Sequence, residues 1–162
     1  MTGIQYAKKL GYKVIGIDLV DTQLDEAKAQ GADHVFNPVT DKDYVAKIKE
    51  ITNGGCHAAV NFTASKRAYE QSPALLRING ILMVVGIPNG PLSFMPMDVA
   101  MGKYRIGSGN NGTPQMLGPC IDFSAKHDIK AHITNYKIEQ IQEMIDAMHE
   151  GKARGRMAVR WD

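Results

Sequence analysis

An acidic residue stands at the end of an apolar run, where a parallel sheet would present it to a ligand. The run Val14-Ile15-Gly16-Ile17 is apolar and rich in β-branched residues, and it stops at Asp18. This pattern predicts a buried strand with a carboxylate at its carboxyl end. In a doubly wound sheet such an acid accepts hydrogen bonds from a ribose diol, and its charge repels a 2′-phosphate. Asp18 is therefore a candidate ribose-binding residue; the alternative is that it helps Asp21, the predicted N-cap, to cap the following helix.

A glycine-rich segment later in the chain is the second candidate for ligand chemistry. Gly107-Ser108-Gly109-Asn110-Asn111-Gly112 matches the pattern G-x-G-x-x-G, after a predicted strand and before a predicted helix. The phosphate-binding fingerprint also needs an acid about 20 residues further on, at the end of the next strand. That strand ends in Ile133-Thr134-Asn135, without an acid. We interpret the segment as a glycine-rich turn and leave open whether it lies beside a ligand.

Several catalytic and metal-binding patterns are absent from the sequence. No Lys has a Tyr four residues before it, no Ser lies in G-x-S-x-G, and neither Gly-Lys pair is followed by Ser or Thr. These absences exclude a Tyr-x-x-x-Lys catalytic pair, a nucleophile elbow and a Walker phosphate loop. The five His residues show no i, i+4 pairing, and Cys56 and Cys120 stand far apart. We expect neither a metal site nor a disulfide within the chain.

Length and composition fit one ordinary globular domain. The 162 residues are 44% hydrophobic and 22% charged, with a net charge of +2. This charge is too weak to favour a nucleic acid or a membrane surface as a partner. The longest apolar run, Ile81–Val85, is far too short to span a membrane, and the N-terminus lacks the apolar segment of a secretory signal. We therefore expect a cytoplasmic protein with no nucleic-acid and no membrane partner.

Short apolar runs alternate with helical segments along almost the whole chain. Strands are expected at 14–17, 34–36, 58–62, 81–87, 104–109, 131–133 and 157–159, with helices between them. Pro73 is expected to kink or restart the helix that Ser65 caps, and the Met residues, Met95, Met97 and Met101 among them, are expected to fill the core. Strand–helix alternation predicts βαβ crossovers, and hence an α/β, doubly wound parallel sheet. The first predicted element is nevertheless a helix that ends at Gly11, with no strand and no phosphate-binding turn before it.

A series of short motifs then follows in a fixed order. They are Ile4-Gln5-Tyr6-Ala7-Lys8, Gly11-Tyr12-Lys13-Val14-Ile15-Gly16-Ile17-Asp18, Gly31-Ala32-Asp33, Asn53-Gly54-Gly55, Leu76-Arg77-Ile78-Asn79-Gly80, Val84-Val85-Gly86-Ile87-Pro88 and Gly151-Lys152-Ala153-Arg154-Gly155-Arg156. In order and spacing the series resembles zinc-dependent alcohol dehydrogenases of the medium-chain family, in particular the yeast type. The resemblance covers essentially the whole chain.

The resemblance implies a partial enzyme. Residues 1–108 would form a partial NAD-binding Rossmann-like domain, and residues 109–162 the segment that packs on the catalytic domain in the family. The first sheet strand with its glycine motif, the zinc ligands, the proton-relay groups and the structural-zinc cysteines would all precede Met1. We therefore expect a Rossmann-like sheet truncated at its N-terminus and no zinc ligand in this chain.

The resemblance also implies cofactor-binding roles. Asp18 would hold the adenine ribose of NAD rather than NADP, and Arg156 would approach the pyrophosphate. Main-chain groups beside the nicotinamide would come from Gly86, Ile87, Ser108, Gly109 and Asn110. The chain departs from the family at Gln23, where a Lys near the ribose is frequent, so we expect NAD binding to be weak or lost.

Two kinds of function remain open at this point. The leading interpretation is the NAD(H)-binding portion of an alcohol dehydrogenase, whose parent reaction transfers a hydride between an alcohol and NAD; the chain alone is expected to be inactive. The alternative is a non-catalytic nucleotide-binding or interaction module, with an unrelated doubly wound enzyme such as a methyltransferase ranked lower. Without its first strand the sheet would keep open inner edges, so we expect a homo-oligomer that forms through these edges.

Overall fold

The computed structural model describes residues 2–109, 111–152 and 155–161. The described helices and strands are α1 (Thr2–Lys9), β1 (Ile15–Ile17), α2 (Asp21–Ala29), β2 (His34–Phe36), α3 (Tyr44–Ile51), β3 (Cys56–Asn61), α4 (Lys66–Gln71), β4 (Leu76–Val84), α5 (Pro96–Ala100), β5 (Tyr104–Ser108), α6 (Pro114–Lys126), β6 (Ile133–Lys137), α7 (Ile141–His149) and β7 (Arg156–Arg160). Short 3-10 turns follow α4, at Ser72–Leu75, and precede α7, at Ile138–Gln140. No described helix is long and apolar enough to cross a membrane.

The chain divides into two compact units. The first unit contains Met1–Asn37 and Pro114–Asp162, and the second unit contains Pro38–Thr113. All strand pairs are parallel: β1 with β2 and β6 with β7 in the first unit, and β3-β4-β5 in the second. The strand–helix alternation of the α/β class is therefore confirmed. The domain boundary that we expect after Ser108 remains a prediction.

The first unit is held together by contacts between its two chain segments. The Tyr6 ring on α1 stacks on Phe123 of α6, with ring centroids 5.8 Å apart. The hydroxyl of Tyr6 lies 2.5 Å from Ser124 Oγ, and Gln5 Nε2 donates to the carbonyl of Lys130 at 2.7 Å. These bonds fix α1 as a structural element although no described strand precedes it.

Asp33 fixes the turn between α1 and β1. One carboxylate oxygen accepts from Lys8 Nζ at 2.7 Å, and the other accepts from the backbone N–H of Val14 at 2.6 Å. The backbone N–H of Asp33 in turn donates to the carbonyl of Val14 at 2.8 Å. One residue thereby sets both the end of α1 and the start of the β1–β2 pair.

The second unit has the better-defined apolar core. Tyr69, Leu76, Leu82 and Tyr104 are buried and pack together. Leu82 lies on the central strand β4, which pairs with β3 on one side and β5 on the other. Tyr69 comes from α4, so the cluster joins this helix to the face of the three-stranded sheet.

Strand boundaries differ from expectation at several places, and β4 ends at Val84 rather than at residue 87. Ser65 caps α4 through Ala68 N, and the chain restarts as a 3-10 turn at Pro73, as expected. β4, however, begins at Leu76: it pairs there with Cys56 and then bulges through Asn79 (φ 61°) before Ile81 pairs with Ala58. The last two corrections are that β6 lies at Ile133–Lys137 rather than 131–133, and that Val20 rather than Asp21 occupies the N-cap of α2.

The methionines around α5 do not fill the core. Met95, Met97 and Met101 are 64%, 65% and 70% exposed. The expectation that they are buried is wrong, because α5 spans only Pro96–Ala100 and contains no buried residue. Their apolar side chains instead form part of the surface of the second unit.

Shortening Leu82 should destabilise the second unit. Leu82→Ala is expected to lower the free energy of unfolding by about 2–5 kcal/mol, because it leaves a cavity under β4. Ile78→Ala is the matched control, since Ile78 is 78% exposed, and a change within about 0.5 kcal/mol is expected. Urea titration followed by far-UV circular dichroism measures both. Equal losses in the two variants would contradict the assigned core.

Asp33 should make stability depend on pH in the acid range. The bonds from Lys8 and from Val14 N hold the pKa of the Asp33 carboxyl below its usual value. The unfolded carboxyl titrates at about pH 4, so this contribution is fully present above that pH and is lost as pH falls through the lower folded pKa. Asp33→Asn should therefore melt earlier than the parent chain at pH 7, and the difference should shrink below about pH 4. Asp25→Asn is the control, because Asp25 is an exposed residue of α2. A difference in melting temperature between Asp33→Asn and the parent chain that persists at low pH would contradict the assignment.

Candidate functional site

Asp18 directly follows β1 in the first unit. Its N–H donates to the carbonyl of Phe36 at 3.3 Å, so the residue continues the β1–β2 pairing by one step. Its side chain is half-buried, and Oδ1 accepts from the N–H of Val20 at 3.0 Å. Within the described part of the chain, the second carboxylate oxygen accepts no hydrogen bond. Asp18 thus uses one oxygen to shape its own loop, and its role toward a ribose stays a prediction.

Asn37 fixes the loop that follows Asp18. This buried residue stands directly after β2, and its Nδ2 donates to the carbonyl of Leu19 at 3.2 Å and to Asp21 Oδ1 at 2.8 Å. The loop from β1 to α2 is therefore held by the neighbouring strand. Sequence reasoning missed Asn37, although a polar residue immediately after an apolar strand is a usable signal.

A shallow pocket lies beside the amino-terminal half of α2. It is lined by Thr22, Gln23, Glu26 and His132. The oxygen Glu26 Oε1 is buried, has no hydrogen-bond partner within the described residues, and lies 3.9 Å from His132 Nδ1. Gln23, the departure from the family near the ribose, therefore borders a cavity and is not packed into the core.

Arg156 begins β7 in the first unit. Its N–H donates to the carbonyl of His132 at 2.7 Å, and β7 then runs parallel to β6 from Ile133 onward. Gly155 before it has φ 66°, and a Cβ there would collide with the His132 carbonyl. The backbone of Arg156 is thus held against His132, and its side chain is exposed.

Gly86 lies just beyond β4 in the second unit, against the end of β3. Its N–H donates to the carbonyl of Asn61 at 2.9 Å. A Cβ at Gly86 would collide with the carbonyl oxygen of Thr63 and lie 2.6 Å from the carbonyl carbon of Phe62. Only glycine permits this approach, so a side chain here would push the two strand ends apart. The next residue, Ile87, is 85% exposed.

Ser108 and Gly109 lie at the end of the neighbouring strand. Ser108 pairs with Val84 in the parallel register, and Gly109 N donates to the carbonyl of Val84 at 3.1 Å. The carboxyl ends of β4 and β5 are therefore adjacent. The structure brings Gly86, Ile87, Ser108 and Gly109 together in the second unit and leaves Asp18 and Arg156 in the first. Asn110 lies outside the described residues.

A network of polar groups from Asn61, Thr63 and Tyr69 surrounds the carbonyl and N–H of Gly86. The sequence analysis did not predict this network. Asn61 is buried, and its Oδ1 accepts from both N and Oγ1 of Thr63 at 2.9 Å. The hydroxyl of Tyr69 reaches the carbonyl of Asn61 at 3.0 Å and that of Gly86 at 2.5 Å. Asn61 ends β3 and Thr63 lies just beyond it, so both could have been singled out by position. Tyr69 carries no such signal, because both of its partners are backbone atoms.

Neither metal nor thiol chemistry has a site among the residues described. These residues bring no three His, Cys, Asp or Glu side chains together in a metal-binding group. Burial raises the pKa of the Cys56 thiol, which keeps it protonated at neutral pH and makes it a poor nucleophile. Cys120 is exposed and lies 3.2 Å from the hydroxyl of Tyr6.

Parallel strands joined by helices, with polar and glycine positions gathered just past the strand ends, define an α/β protein of the doubly wound class. Comparison with known proteins then gives the family. A family model described as zinc-binding dehydrogenase matches residues 1–126. The chain belongs to this family, which confirms the resemblance found in its motifs.

The relatives are alcohol dehydrogenases. One from Geobacillus stearothermophilus is 33% identical over 159 residues, which cover 98% of this chain and 47% of the relative. The crystal structure of an alcohol dehydrogenase from Aeropyrum pernix matches 96% of this chain and 45% of its own, with a TM-score of 0.85 and 24% identity. An NAD-dependent alcohol dehydrogenase matches 98% of this chain and 47% of its own, with a TM-score of 0.83 and 22% identity. The chain spans about half the length of the curated relatives it matches.

Proposed function

We propose that this chain is the NAD(H)-binding portion of an alcohol dehydrogenase. The observation that carries the proposal is the unused carboxylate oxygen of Asp18, held at the carboxyl end of β1 by the Val20 N–H on its other oxygen. A ribose diol offers two hydroxyl donors to such a carboxylate. NAD, when bound, supplies the hydride acceptor for oxidation of an alcohol.

The proposal includes a preference for NAD over NADP. The charge of Asp18 would repel a 2′-phosphate, because a second anion beside a half-buried carboxylate is unfavourable. Gln23 borders the pocket next to α2 and brings no positive charge to offset this repulsion. Both residues therefore favour a cofactor with a free ribose diol.

The remaining contacts belong to the other parts of the cofactor. The exposed guanidinium of Arg156 is suited to the pyrophosphate, because an arginine–phosphate hydrogen bond is charge-assisted. Backbone groups of Gly86, Ile87, Ser108, Gly109 and Asn110 are proposed to lie beside the nicotinamide. These assignments keep the adenosine contacts in the first unit and the nicotinamide contacts in the second.

Hydride transfer to or from an alcohol needs more than these residues supply. The part of the chain that the structure describes does not fit a zinc ion, because it gathers no metal-binding cluster. We therefore propose that the 162-residue chain alone does not oxidise alcohols, with or without added zinc. Its own contribution is to bind the cofactor and orient it, in a cytoplasmic setting.

Binding of NADH and NADPH tests the role of Asp18. We expect the chain to bind NADH with a Kd weaker than roughly 1 mM, about 4 kcal/mol short of micromolar binding. Asp18→Ala should weaken NADH further and remove the preference for NADH over NADPH, because it removes both the hydrogen-bond acceptor and the charge. Titrations followed by NMR chemical shifts give both affinities, with Asp25→Ala on α2 as the matched control. Tight NADH binding that Asp18→Ala leaves unchanged would refute the ribose assignment.

The chain is also proposed to associate with itself through open strand edges. Within the described residues β1 pairs only with β2, β3 only with β4, and β5 only with β4. Unpaired edges invite pairing with another chain. The exposed methionines beside α5 and the exposed Ile87 add apolar surface that favours association.

Light scattering coupled to size-exclusion chromatography tests self-association. We expect a mass that is a multiple of 17.8 kDa and that falls on dilution, because edge pairing is a bimolecular equilibrium. A single species near 17.8 kDa at every concentration, with a cooperative melt above about 50 °C, would show that the open edges need no partner.

A further inference from the structure

The hydroxyl of Tyr69 is a buried polar group in a mainly apolar cluster. Tyr69 has no exposed surface and packs against Leu76, Leu82 and Tyr104. A phenylalanine would fill the same space without a polar atom to satisfy. The hydroxyl therefore has a role other than packing, and its position between two backbone carbonyls indicates what that role is.

The Tyr69 hydroxyl lies between the ends of two neighbouring strands. It is 3.0 Å from the carbonyl oxygen of Asn61 and 2.5 Å from that of Gly86. Asn61 O also accepts from the N–H groups of Val85 and Gly86. In the described structure Gly86 O has no donor other than Tyr69. A hydroxyl has one proton to donate, so the shorter contact makes Gly86 the acceptor that depends on Tyr69.

Fixing the Gly86 carbonyl also fixes the N–H of Ile87. Both groups belong to one planar trans peptide, in which C=O and N–H point in opposite directions. Tyr69 holds the carbonyl toward the core, so the Ile87 N–H points away from it. This N–H makes no hydrogen bond within the described ranges of the chain. Pro88 restricts Ile87 further, because a residue before proline is confined to extended backbone.

We propose that Tyr69 is a positioning residue that aims the Ile87 N–H at the carboxamide oxygen of the nicotinamide. The inference rests on the proposed function and extends it to a residue that would not touch the cofactor. The free Ile87 N–H is a donor with a fixed direction, and its orientation costs nothing at the moment of binding. Loss of the Tyr69 hydroxyl frees this peptide plane to rotate and leaves Gly86 O without its donor.

The proposal separates the two halves of the cofactor. The contacts proposed for the adenosine half, Asp18 and Arg156, belong to the first unit, whereas Tyr69, Gly86 and Ile87 belong to the second. Removing the Tyr69 hydroxyl should therefore weaken ligands that carry nicotinamide and spare ADP-ribose, which lacks it. A purely structural role would change both ligands alike, or neither.

The experiment compares Tyr69→Phe with the parent 162-residue chain by NMR titration of NADH and of ADP-ribose. We expect NADH to bind roughly three- to tenfold more weakly to Tyr69→Phe, the effect of one misplaced hydrogen bond, and ADP-ribose to bind equally to both. Tyr104→Phe is the matched control: Tyr104 is buried in the same cluster, and within the described structure its hydroxyl makes no hydrogen bond. It should leave both affinities unchanged, and thermal melts confirm that each variant is folded.

The possible outcomes distinguish this inference from the proposed function. If the parent chain binds ADP-ribose and NADH, and Tyr69→Phe changes NADH binding no more than Tyr104→Phe does, Tyr69 is not a positioning residue and the proposed function stands. An equal loss for NADH and ADP-ribose would assign Tyr69 a structural role only. If the parent chain binds neither ligand, the proposed function fails and the inference fails with it.

Discussion

Close approach of two strand ends governs the candidate site of the second unit. The backbone of Gly86 can lie against Thr63 only because residue 86 has no side chain. That contact brings the Gly86 carbonyl within reach of the Tyr69 hydroxyl and its N–H within reach of Asn61. Packing, hydrogen bonding and the direction of the exposed peptide therefore all follow from one steric condition. A β-carbon at this position would affect all three together.

In the first unit a polar side chain, rather than a glycine contact, fixes the backbone at the strand end. Asn37 stands after β2 and holds the loop that carries Asp18. In both units a residue on one chain segment fixes the backbone of its neighbour at the edge where ligands bind in sheets of this class. The side chains proposed to meet the cofactor are thus placed by residues that would not touch it.

Three features could be predicted from the sequence, because each depends on local pattern or on covalent geometry. They are the strand–helix alternation, the position of Asp18 after a strand, and the restart of the helix at Pro73. The start of β4 could not be predicted from the sequence. Leu76 pairs with Cys56, and the register then shifts at Asn79, because the pairing depends on the neighbouring strand β3. The same holds for Tyr69. Its hydroxyl lies between two backbone carbonyls, and the residue types in a sequence do not reveal backbone acceptors. Hydrophobicity alone also predicted that Met95, Met97 and Met101 are buried, whereas they are exposed. The burial of residues around a short helix depends on which other elements pack over it.

The discontinuous first unit has a consequence for synthesis on the ribosome. The second unit, Pro38–Thr113, is complete in the nascent chain before Pro114–Asp162 is made. At about 5–20 residues per second, synthesis from Tyr6 to Phe123, against which Tyr6 stacks, takes roughly 6–23 s. The sheet of the second unit can form during this interval. Helix α1 is consequently made well before its aromatic partner on α6, and until then the Tyr6 ring has no Phe123 to stack on.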